Sequence, residues 1–122
     1  MATEKITPSL SFVEYGIFLA YAASCRATCS RAHLGCVIFD KRRVVAATGY
    51  NGAPPGEPQC DEVGCLLKND HCLRVTHGEK NARFFSGDRD LSGGYAFTLI
   101  RPCRACFDLF ASRGIQNIYY EY

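Results

Sequence analysis

The chain has 122 residues, 48% hydrophobic and 21% charged, which suits one soluble domain with a real core (residues 1–122) and leaves too little for two ordinary ones. Lys and Arg number 14 against 12 Asp and Glu, a net charge of +2 without a long basic block, so neither a nucleic-acid nor a membrane surface is expected to dominate. "MATEKITPSL" lacks an apolar signal core, and "FVEYGIFLAYAA" contains Glu14 and is too short to span a bilayer. A reducing compartment is therefore expected, where the eight cysteines more often bind metal than form disulfides.

Ser9 or Ser11 can cap a first helix from about Phe12 to Arg26, with Phe12, Tyr15, Leu19, Ala22 and Ala23 near one face. "CVIFD" and "VVAATGY", β-branched and separated by "KRR", read as a β-hairpin. Lys41, Arg42 and Arg43 are then a solvated turn, with a local basic patch as the alternative. "NGAPPGEPQCDEVG" is dense in Gly and Pro and reads as a loop. The stretch from Cys65 to Thr76 is ambiguous. A helix is predicted from near His77 toward Phe85, then a loop, then the strand "YAFTLI". "CRACFDLFASRG" is a helix closed by Gly114, and "IQNIYYEY" is a last strand. No repeat or low-complexity segment interrupts this order, which predicts an α/β fold: one mixed sheet with helices on its faces.

The chemistry concentrates in "THGEKNA" and "RPCRAC". A Cys-x-x-Cys at a helix start aims both sulfurs at one metal, and the positive end of the helix favours the thiolates. Pro102 suits the entry to that helix. Zinc in catalytic sites takes three protein ligands and leaves one position open. Cys103, Cys106 and His77, the last from another helix start, would supply the three. Glu79 is two residues from His77, awkward as a fourth ligand but able to take a proton from water and return it to a leaving amine. Alone, Cys-x-x-Cys is ambiguous between a redox pair and half a zinc site. His-x-Glu followed by Pro-Cys-x-x-Cys is far more specific, and is the signature of zinc-dependent nucleobase deaminases.

On these motifs the chain resembles the cytidine deaminase superfamily, and most closely deoxycytidylate (dCMP) deaminases of phage and bacterial type. "GYNGAPPG" looks like the loop these enzymes place over the substrate. "CDEVGC", "HCLRVTHGEKNA" and "SRGIQNIYY" are also similar to segments of relatives. The resemblance implies a three-layer α-β-α fold with a central mixed sheet, shortened at the C-terminus. It implies hydrolysis of dCMP to dUMP and ammonia, supplying thymidylate synthesis in the cytoplasm of a bacterium or a phage-infected cell. Cytidine, dCTP, guanine or a tRNA adenosine are alternative substrates, and a zinc-stabilised binding module without turnover is the alternative from another class. By motif, His77, Cys103 and Cys106 would hold the catalytic zinc and Glu79 would shuttle protons. Asn51 would hydrogen-bond the substrate.

Gly78 stands where relatives usually carry alanine. It keeps a backbone N–H that would face the base, while the missing methyl would enlarge the pocket or loosen the helix by up to ~1 kcal/mol. Arg101 stands before Pro-Cys, where relatives tend to have a small or apolar residue, and reads either as a phosphate contact or as a surface arginine.

Of the remaining cysteines, Cys25 and Cys36 read as core residues. Cys29, Cys60 and Cys72 stand in the three regions from which some phage relatives ligate a second, structural zinc, with Cys65 as a fourth ligand and His33 and His71 as alternatives. Such a site would tie the Gly/Pro loop to the core. The rings of the first helix, of Phe84, Phe85, Phe107 and Phe110, and of the C-terminal tyrosines exceed what one small domain can bury. A homo-oligomer is expected, with a nucleotide as the small-molecule partner.

Overall fold

The strand β1 (Gly35–Phe39) is buried along its whole length. An apolar run of this kind belongs at the middle of a sheet covered on both faces. The computed structural model, which describes residues 9–28, 33–53, 56–69, 71–74 and 76–121, places it there. β1 pairs antiparallel with β2 (Val45–Tyr50) on one side and with β5 (Tyr95–Thr98) on the other. β6 (Asn117–Tyr120) runs parallel to β5, giving the order β2-β1-β5-β6. The parallel pair is joined by α4 (Arg104–Ser112), the crossover such a connection requires.

Alternation along the strands divides the core in two. Val37, Phe39 and Phe97 pack with Ala20 of α1 (Phe12–Ser24). Cys36, Ile38 and Ala96 pack with Ala82 of α3 (Gly78–Ser86) and Phe110 of α4. The result is the helix–sheet–helix layering expected from the sequence.

Ser11 is the N-cap of α1. Its hydroxyl accepts from Glu14 N at 3.1 Å and Glu14 accepts from Ser11 N at 2.9 Å. These bonds from Ser11 hold the Glu14 carboxyl below its ordinary range. The buried stripe of α1 is Gly16, Ala20 and Ala23, and both Tyr15 and Ala22 are exposed, against expectation. Small residues win because the helix lies almost on the backbone of β1. A Cβ on Gly35 would fall 2.1 Å from Ala20 O, and one on Gly16 would fall 2.5 Å from the Phe97 ring. Cys36 is core as expected, whereas Cys25 is exposed at the C-cap.

The loop after β2 contains one helical turn, α2 (Cys60–Val63), and the ambiguous stretch forms a small ribbon of β3 (Leu67–Lys68) and β4 (His71–Cys72). In the β1–β2 turn, Asp40 Oδ1 accepts from Arg42 N and Val44 N at 2.8 and 3.1 Å. Arg43 adopts φ 66° and lays its guanidinium 4.4 Å from the Phe12 ring centre. Arg42 lies 3.6 Å from Asp40, so two of the three cations are engaged locally, as the turn reading expects. Among the described residues no helix is long and apolar enough to cross a membrane.

α3 lies as tightly on β2 as α1 does on β1. A Cβ on Gly49 would fall 2.2 Å from Gly78 O and 2.4 Å from Ala82 N, and backbone cannot yield as a side chain can. Gly49→Ala should therefore cost about 1–3 kcal/mol or more, read as a lower urea midpoint. An unchanged midpoint would contradict this close approach.

Candidate active site

Two helix starts, those of α3 and α4, meet on the same side of the sheet. His77 is the N-cap of α3 and Cys103 the N-cap of α4, with extended backbone (ψ 147° and 164°). Neither side chain caps its own helix. They turn instead toward one point, joined by Cys106 from the first turn of α4. Cys103 Sγ lies 3.7 Å from His77 Nδ1 and Cys106 Sγ lies 3.6 Å from it. All three ligand atoms fall within 4.8 Å of one another. Tetrahedral zinc with Zn–S of about 2.3 Å and Zn–N of about 2.0–2.1 Å demands S···N edges of about 3.6 Å. The donors are thus already spaced for that ion, and three protein ligands leave a fourth position open.

His77 and Cys103 are exposed and Cys106 is buried. With Thr76, Lys80 and Ala105 they line a cavity of about 260 Å³. Glu79 is only 8% exposed. Burial, the Glu79 carboxylate and Cys103 push the Cys106 thiol above its ordinary range. Cys36, on β1, is raised by burial first and then by the charges of Glu79 and Cys106. This crowding of potential anions suits a dication, and uptake of a metal would release the thiol protons.

Two of the expected substrate contacts, Asn51 and Gly78, bond each other. Asn51 is buried, and its Oδ1 accepts from Gly78 N at 3.1 Å. The backbone donor expected to face the base is therefore satisfied inside the protein. Its partner must be an oxygen, so the Asn51 amide is oriented with its nitrogen left over. A methyl on Gly78 would meet Tyr50 Cα at 3.2 Å and the Gly49 and Leu34 carbonyls at 3.4 Å. The position thus borders strand backbone rather than the cavity, and glycine relieves contact there. Arg101 is exposed beside the buried Pro102 and does not line the cavity.

Cys60 is buried at the start of α2 and Cys65 is half-buried just beyond it. Cys29 and the side chains of Cys72 and His71 lie outside the described residues. His33 is exposed.

Three contributors were not singled out from sequence. Asn81 Nδ2 donates toward the Tyr50, Gly52 and Thr76 carbonyls at 2.9, 3.4 and 3.3 Å. It stitches the loop after β2 to the segment before His77. Asparagine inside a helix is disfavoured unless it has such work, and that was the available signal. Gln59 clamps the loop itself: its Oε1 accepts from Ala53 N at 2.9 Å and Thr28 Oγ1 at 2.7 Å, and its Nε2 donates to Ala53 O at 3.1 Å. Nothing local marks it. Lys80 lines the cavity and carried no motif.

The family model for the cytidine and deoxycytidylate deaminase zinc-binding region matches residues 11–122. The chain belongs to this family. It is 34% identical to a deoxycytidylate deaminase of Mycobacterium phage D29, over 88% of this chain and 91% of that one. It is 32% identical to ComE operon protein 2 of Bacillus subtilis (strain 168), over 91% of this chain but only 59% of that longer protein. A crystal structure of dCMP deaminase from the cyanophage S-TIM5, in complex with dCMP and dUMP, superposes with a TM-score of 0.76 at 26% identity. That superposition covers 88% of this chain and 78% of the other. The mixed sheet between helices is the fold of this family.

Proposed function

We propose that the protein deaminates dCMP hydrolytically to dUMP, releasing ammonia, in the cytoplasm of a bacterium or a phage-infected cell. The carrying observation is a buried glutamate beside three ligand atoms at tetrahedral spacing, within a chain similar to a phage enzyme over nearly its full length. A purely structural metal site has no use for that carboxylate, which disfavours a binding module without turnover.

His77, Cys103 and Cys106 would hold the zinc. When bound, zinc supplies Lewis acidity that makes water a competent nucleophile near neutral pH. Glu79 takes the proton of the attacking water and delivers it to the amine nitrogen, so that water oxygen adds at C4 and the C4–N bond breaks with ammonia leaving. Burial keeps the carboxylate from competing water, and Asn51 offers its amide nitrogen to a substrate acceptor. The α3 and α4 starts fix the ligands from two directions.

The direct test supplies the zinc-loaded protein with cytidine, deoxycytidine, dCMP and dCTP and follows ammonia. dCMP is expected to be turned over fastest. Glu79→Gln should retain zinc and fold while turnover falls about 10²–10⁴-fold. Near-normal activity in this variant would remove Glu79 from the proton path.

A second, structural zinc held by Cys29, Cys60, Cys65 and Cys72 would tie the 51–64 loop to the core. Chelator-free protein should then contain close to two zinc ions per chain, and changing Cys60 and Cys72 to Ser should lower this to one. A clean value of one in the unmodified protein would reject the second site.

We also infer a homo-oligomer. Phe18, Phe84, Phe85 and Phe107 are 66, 62, 56 and 49% exposed, more ring surface than a free domain of this size usually leaves in water. Light scattering at micromolar concentration should return a multiple of 13.5 kDa, and the monomer mass would reject assembly.

A further inference from the structure

We infer that Lys80 is the phosphate anchor of the substrate cavity and sets the preference for nucleotides over nucleosides. This rests on the deaminase reading of the site and goes beyond it by naming a specificity residue. Of the six residues lining the cavity, Lys80 alone carries a fixed positive charge. It follows Glu79 on α3, and its side chain is exposed.

Among the described residues the Lys80 side chain takes part in neither an ion pair nor a hydrogen bond. The neighbouring cations are otherwise placed: Arg104 is bound to Asp108 at 3.0 Å, and Arg101 lies off the cavity wall.

The charge balance gives Lys80 a task. A dication with two thiolates and a neutral imidazole sums to zero, so the metal ligands need no further cation. Glu79 contributes one buried negative charge. Without Lys80 the cavity lining would offer no fixed cation to a phosphate monoester carrying nearly two negative charges. An exposed ammonium on a flexible stem, lining the same cavity as the three expected metal ligands and unpaired among the described residues, can meet a phosphate without being rebuilt. A nucleoside offers it nothing. The asymmetry between the two substrate classes is therefore expected to pass through this side chain.

The test compares kcat/KM for dCMP with that for deoxycytidine in the zinc-loaded protein, in Lys80→Met and in Lys80→Arg. A hydrogen bond between charged groups predicts that Lys80→Met lowers the dCMP-to-deoxycytidine ratio about 10- to 100-fold, mainly through KM for dCMP. Lys80→Arg should restore most of the ratio. Titration of the Glu79→Gln protein with dUMP should show the same loss on adding Lys80→Met, and the salt dependence of dUMP binding should flatten with it. A ratio that stays within about twofold, or dUMP binding insensitive to Lys80, overturns the assignment even though dCMP is turned over. If the unmodified protein turns over neither dCMP nor deoxycytidine, the deaminase reading itself falls, and the inference with it.

Discussion

Three ligand atoms from two helix starts must stay within 4.8 Å of one another, and much of the fold serves that requirement. α3 is pressed onto β2 because Gly49 and Gly78 leave no side chain between them. α4 is fixed by the β5–α4–β6 crossover, with Phe110 sunk in the core. The His77 loop is tied down by Asn81 and by the Gly52–Thr76 bridge. Removing the cap function from His77 and Cys103 costs each helix a local hydrogen bond, and Asn51 compensates at Gly78 N.

Electrostatics follow from the same convergence. Burial first, then Glu79 and Cys106, raises the cost of charging Cys36, and burial first, then Glu79, raises that of Cys106. A dication held by Cys103 and Cys106 would relieve that cost and, in the proposed reaction, would leave Glu79 as the group free to carry a proton. Cys36 touches no part of the proposed chemistry. It is fully buried among apolar residues, and its thiol stays protonated. Lys80, which lines the same cavity, is exposed.

The parts legible in the sequence were those with short-range signatures. β-branched runs marked β1 and β2, the cysteine spacing marked the start of α4, and His-x-Glu marked the start of α3. Residues whose roles depend on contacts across the fold were not legible. The loop of Asn51 points to a substrate contact for its side chain and carries no sign of a second role inside the fold. In the structure its carbonyl oxygen completes a helix start 27 residues away. Helical periodicity puts Tyr15 on the buried face, but α1 approaches β1 closely at Gly16, Gly35 and Ala20 and leaves Tyr15 42% exposed, while Phe12 and Leu19 pack against the core. Gln59 and Lys80 gave no periodic or motif signal, since one acts through a loop and the other through a cavity wall.

The central claim is that water oxygen replaces the amine at C4 of a cytosine nucleotide. Running the reaction on dCMP in water enriched in oxygen-18 and weighing the product tests it directly. The account predicts dUMP carrying one heavy oxygen, with ammonia released in equal amount. Product without the heavy oxygen, or dCMP recovered unchanged by the zinc-loaded protein, would contradict it.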